Sequence, residues 1–77
     1  MIEVDSIVLD VLKELEYANG RFPPFHSKNE AAGVIREEYL EAEYELFHGS
    51  NSKAKAELIQ LAAMAIKAIQ LLEKSSD

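Results

Sequence analysis

The chain has no cysteine and no tryptophan among its 77 residues, and few basic side chains. Without thiols there is neither a disulfide nor thiol chemistry, and no Cys/His spacing for zinc exists; His26 and His48 stand apart from one another. Eight lysines and arginines against 14 acids leave a formal charge of −6. Duplex nucleic acid is therefore not an expected partner, since phosphate affinity rests on basic patches. Long hydrophobic runs are missing too. The longest, Leu61 to Ile66, falls far short of the roughly 20 residues of a membrane span. The opening residues carry acids and no basic n-region, so no secretory signal is expected and the expected location is cytoplasmic.

What is present is a helical pattern. Apolar residues at positions 4, 7, 8, 11, 12 and 15 predict an amphipathic helix from about Val4 to Ala18, capped by Asp5 or Ser6 and stopped at Asn19-Gly20. Pro23-Pro24 then forbids helix, and Phe22 and Phe25 can pin the extended path. These two aromatics can plug the end of a bundle or wall a pocket for a flat ligand. Ser27-Lys28-Asn29-Glu30 is a capping box for a second helix that runs to about Phe47 and stops at His48-Gly49. After the turn Gly49–Ser52, a third helix capped by Ser50, Asn51 or Ser52 extends to about Lys74, with Ser75–Asp77 expected to fray. From Leu58 to Ile69 only Gln60 and Lys67 interrupt its apolar character. Three helices cannot bury such a segment within one chain, and with 48% hydrophobic residues and no staple, homo-oligomerisation is the expected way to complete the core. The expected fold is all-α: one domain over residues 1–77, a helical hairpin plus an N-terminal helix, completed as a bundle between copies.

Several carboxylates sit where a core residue is expected. At about 100° per residue, Ala31, Val34, Ile35, Ala42 and Leu46 share one face of the second helix, with Glu38 in its middle, Glu45 within it and Glu41 at its edge. Gly33, Leu40, Tyr44 and Phe47 form a second apolar face, and Gly33 allows close approach of another backbone. On the third helix Glu57 and Gln60 lie one turn apart beside Leu61, Met64 and Ala68. An antiparallel hairpin sets Glu57 opposite Glu41 or Glu45, and Gln60 nearer Glu41 or Glu38. Like charges in an apolar groove raise one another's pKa, and a lysine, an arginine or a divalent metal is needed to offset them. Mg²⁺ takes a few carboxylates and fills its remaining positions with water and substrate phosphate. The plainer reading is that six glutamates in one helix must place some on the apolar side by chance.

The spacing itself carries a resemblance. Glu37-Glu38-x-x-Glu41, fifteen residues, then Glu57-x-x-Gln60 resembles the EExxE…ExxD signature of the MazG-like all-α nucleoside triphosphate pyrophosphohydrolases. The stretches "FHSKNEAAGVIREEYLE" and "ELIQLAAMAIKAI" look like a small, phage-associated branch of that superfamily, over about Phe25 to Ile69. The resemblance implies a dimeric or tetrameric helical bundle that cleaves a nucleoside triphosphate between its α and β phosphates in the presence of Mg²⁺, or Mn²⁺. It implies Glu38, Glu41 and Glu57 as metal ligands with Gln60 beside them, and Glu37 with Glu38 in the catalytic role of positioning water or a second metal. Phe25, Lys28 and Lys53 become candidate substrate contacts, with Phe22, Lys55 and Arg21 behind them. Gln60 departs from the family's final aspartate: the site uses fewer anionic ligands, or Glu45 substitutes, or the chemistry has been lost. The last case is the rival reading, a non-catalytic helical oligomer that serves as an interaction or regulatory module.

Overall fold

The capping box forms as its sequence dictates. In the computed structural model, which describes residues 4–74, the Ser27 hydroxyl accepts from the Glu30 backbone N–H at 3.0 Å, and the Glu30 carboxylate reaches back to accept from the His26 N–H at 2.6 Å. Two orphan donors are thereby satisfied. Helix α2 spans Lys28–His48 from this cap. Ser50 opens the next helix in the same way, its hydroxyl accepting from the Lys53 N–H at 3.1 Å, and α3 spans Asn51–Lys74. The turn between them is thus only Gly49-Ser50. With α1 at Val4–Arg21, the described residues form three helices and no strand, an all-α fold. None of the three is long and apolar enough to cross a membrane. Ser27→Ala is expected to lower unfolding stability by about 1 kcal/mol, read as a lower urea midpoint at unchanged slope.

α1 begins at Val4 as expected, but its capping residues and its C-terminal end differ from the sequence expectation. Asn19-Gly20 does not stop it; the helix runs through to Arg21, and the Phe22 N–H still bonds the Ala18 carbonyl at 2.9 Å. Gly20 adopts no positive φ. What ends the helix is Pro23-Pro24, which withdraws two N–H donors and forces the preceding residue extended. Asp5 and Ser6 lie inside the helix and not at its cap. The expected fraying of Ser75–Asp77 lies outside the described residues.

The short connection folds α2 and α3 into an antiparallel hairpin. α1 packs on α3 as well, while no Cα of α1 comes within 8 Å of one in α2. α3 is therefore the shared floor, and α1 and α2 are walls that stand apart. The seam is built mostly from small residues: Ala31 and Ala42 of α2, Ala54 and Ala63 of α3, Ala18 of α1, with Leu15 and Phe25 the larger members. Among the described residues no large side chain is fully buried.

Much apolar surface is left uncovered. Leu46, expected on the core face, is 60% exposed. Leu40, Tyr44 and Phe47 on the opposite face are exposed, and so are Leu58, Ile69 and Leu72, although α3 was expected to be buried on most sides. A Cβ added at Gly33 would meet nothing within 4 Å, so among the described residues no other helix packs closely against it. The accessible surface of 5990 Å² exceeds the roughly 4,700 Å² of a compact monomer of this mass.

Candidate metal centre

The hairpin register decides which carboxylates meet. Across the Gly49-Ser50 turn, residues whose numbers sum to about 98 lie level, which sets Glu57 against Glu41 and Gln60 against Glu38. Glu38, Glu41 and Glu57 each offer a carboxylate oxygen, and these oxygens lie within 4.8 Å of one another. Glu38 and Glu57 are half-buried and Glu41 is exposed. One oxygen of Glu38 and one of Glu57 are buried without any hydrogen-bond partner. Among the described residues the ion pair formed is Lys55 with Asp10, at 3.9 Å, so no lysine or arginine neutralises the cluster.

The electrostatics follow from this crowding. Burial lifts the Glu38 carboxyl above its ordinary value, and repulsion from Glu41, Glu57, Glu37 and Glu14 lifts it further. Glu57 is raised first by burial, then by the charge of Glu41, by a hydrogen bond with Glu41 that favours the protonated form, and by Glu45. A buried oxygen with no donor costs about 1–3 kcal/mol, more when charged. Protons or a cation can offset that cost, and the donor set is all oxygen, which suits Mg²⁺ or Mn²⁺ over a soft metal. The residues fit a hard divalent ion with three carboxylates on one side and open positions on the other.

Beside the cluster, the gap between the α1 and α2 walls forms a groove of about 590 Å³. Glu14, Tyr17, Ala18 and Arg21 line it from α1, and Glu30, Val34, Glu37 and Glu38 from α2. Gln60, Met64 and Lys67 make its floor, and Phe22, Pro23 and Phe25 close one end. Glu37 and Gln60 thus reach the groove while standing outside the three-carboxylate set. Glu45 also lies outside that set, and its carboxylate turns back against Gly49. Of the substrate candidates Phe25, Phe22 and Arg21 line the groove, while Lys28, Lys53 and Lys55 do not; Phe25 is 8% exposed, whereas Phe22 is 57% exposed. Lys28 and Lys53 are exposed in the first turns of α2 and α3, away from the groove lining.

Lys67 is the residue that the sequence left unassigned. Only 4% exposed, it lies in the middle of α3 with its ammonium 4.8 Å from the Phe25 ring centroid and 6.0 Å from that of Phe22. The available signal was a single lysine in an otherwise apolar helical run, since a buried cation needs a local reason. Arg21 stacks on Tyr17 at 5.3 Å and donates to its hydroxyl at 3.0 Å, which places a second cation on the groove wall. No protein-family description, curated protein or solved structure matches the chain.

Proposed function

We propose that the chain is a Mg²⁺-dependent nucleoside triphosphate pyrophosphohydrolase acting on an NTP or dNTP. The observation that carries this reading is the convergence of Glu38, Glu41 and Glu57 from two helices on one point, with no lysine or arginine among the described residues within ion-pair distance to balance them. The EExxE…ExxQ spacing and the adjoining groove with aromatic walls give it further support. A bound Mg²⁺ would supply polarisation of the phosphoryl oxygens and a lowered pKa for a coordinated water. Glu38, Glu41 and Glu57 would hold the ion. Glu37, one residue from Glu38 and on the groove wall, would orient the attacking water and take up its proton. Water adds to the α-phosphorus, the α–β anhydride bond breaks, and the monophosphate and pyrophosphate leave. Gln60, level with Glu38, would offer an amide oxygen or hold a water without adding charge.

The direct test is pyrophosphate release from a panel of common and modified NTPs and dNTPs at high protein concentration, with Mg²⁺ and with Mn²⁺. Metal-dependent release from at least one of them is expected. No turnover of any would leave the rival reading, a non-catalytic oligomeric interaction or regulatory module, which Gln60 in place of the family's aspartate favours.

Under either reading the chain works with copies of itself. The exposed Leu40, Tyr44 and Phe47 stripe and the excess surface support a dimer or tetramer that covers the outer face of α2. Sedimentation velocity is expected to show self-association, lost on combining Leu40→Asp with Tyr44→Asp. A wild-type monomer at tens of micromolar would refute it. A nucleotide substrate and Mg²⁺ would be in keeping with a cytoplasmic location.

A further inference from the structure

Lys67 has no function in the reading above, and its surroundings are unusual. It is an ammonium in a mid-helix position, 4% exposed, with no carboxylate within ion-pair distance among the described residues. Among the described residues its ammonium makes no side-chain hydrogen bond; its contacts are the faces of Phe25 and Phe22. Cation–π attraction stabilises such a charge but leaves the donors unused. The side chain is also part of the groove floor. It is therefore a largely buried lysine, held against two rings, whose ammonium is pre-positioned beside a space in which a ligand can lie.

The location along α3 decides what part of a ligand it meets. Lys67 lies ten residues beyond Glu57 and seven beyond Gln60, an axial distance of about 10–15 Å. The carboxylate cluster and Lys67 are thus at opposite ends of one groove. If phosphates occupy the carboxylate end, bridged by the metal, the nucleoside extends toward Lys67. That end also holds the flat surfaces suited to a base: Phe22, largely exposed, Pro23, and the Tyr17 ring carrying Arg21. An ammonium there meets the edge of a ring and not a phosphate. Lysine donates only. Guanine presents O6 and N7 as two acceptors, and thymine or uracil presents O4. Adenine and cytosine present an amino group at the position of that keto oxygen, which opposes a donor with a donor there, and adenine keeps only N7 where guanine offers the O6/N7 pair.

We propose that Lys67 is a base-reading residue that makes the groove select nucleotides with a keto base, guanine, thymine or uracil, over those with an amino base, adenine or cytosine. This deepens the pyrophosphohydrolase reading and rests on it. The test is binding of non-hydrolysable α,β-imido triphosphates of all these bases, in both ribose and deoxyribose series, by calorimetry with Mg²⁺ and the full 77-residue chain. Keto analogues are expected to bind about tenfold or more tighter than amino analogues. Lys67→Met, close in length and apolar, is expected to compress the difference to less than about threefold. Lys67→Gln, which keeps an N–H donor, is expected to retain part of it. Thermal melts of each variant with and without Mg²⁺ report whether fold and metal site survive.

Equal affinity for all bases in the wild type overturns the proposal, and needs no variant. So does undiminished discrimination in a folded Lys67→Met. A uniform loss of affinity across every base in Lys67→Met also overturns it, because that is the signature of a phosphate contact. If no analogue binds although Mg²⁺ raises the melting temperature, the nucleotide reading itself fails and the metal centre stands alone.

Discussion

Glu38→Gln is expected to reduce Mg²⁺-dependent pyrophosphate release by on the order of 100-fold or more, while the metal-free protein melts at an unchanged or higher temperature. The two halves of this result have one cause. Glu38 is half-buried, one of its oxygens has no donor, and four other carboxylates raise its pKa. Without a cation its negative charge is a liability to the fold. The amide is nearly isosteric, removes the charge, and relieves Glu41 and Glu57 of a repulsive neighbour. With Mg²⁺ the same charge becomes a ligand, and its loss weakens both binding of the ion and stabilisation of phosphoryl charge. A core glutamate with only a structural role would show no such opposition between activity and stability. Glu43→Gln provides the control, since Glu43 bonds the exposed Tyr39 hydroxyl at 3.0 Å and belongs to no metal set. A pyrophosphate assay paired with melts in EDTA reads both quantities. Full activity in Glu38→Gln would remove it from the catalytic centre.

Helical phase and capping chemistry were legible in the amino acids because both are local. Ser27, Glu30 and Ser50 act within one turn of their own positions, and the structure shows each bond. The meeting of Glu38, Glu41 and Glu57 was legible for a related reason: a two-residue turn leaves an antiparallel hairpin little freedom of register. Longer-range features were not. The end of α1 depended on whether Gly20 or the prolines would win, and without a required positive φ the glycine had no power to stop a helix. Whether Phe22 or Phe25 would be buried depended on how α1 seats on α3, which no local pattern encodes. Lys28 and Lys53 suggested themselves as phosphate contacts by position in sequence, yet both emerge in exposed first turns. Lys67 stood out in the sequence only as a lone cation in an apolar run; its surroundings needed the fold, because they are two rings brought to it from the segment after α1.

Mg²⁺ is expected to raise the melting temperature strongly, and the increment is expected to grow with pH. In the metal-free chain Glu38 and Glu57 have pKa values raised above the ordinary 4.5. Between 4.5 and those raised values the native state holds more protons than the unfolded state. Stability therefore falls as pH rises through that window, and the loss persists above it. Acidic conditions favour the metal-free fold to the extent that these two groups dominate. Metal binding reverses the sign, because the ligands must be deprotonated and binding expels their protons. The gap between melts in Mg²⁺ and in EDTA should accordingly widen as pH rises from the acidic range through the raised carboxyl pKa values. At 100 times the dissociation constant, ligand linkage contributes about 2.7 kcal/mol. For a domain of this size that corresponds to a shift on the order of 10 °C. Matched ionic strength in KCl separates binding from screening, since partly buried charges are screened far less than exposed ones. Glu57→Gln should lose most of the Mg²⁺ increment, because it removes α3's only carboxylate from the set of three. Equal melts in EDTA, KCl and Mg²⁺ at neutral pH would mean that the three carboxylates bind no divalent ion.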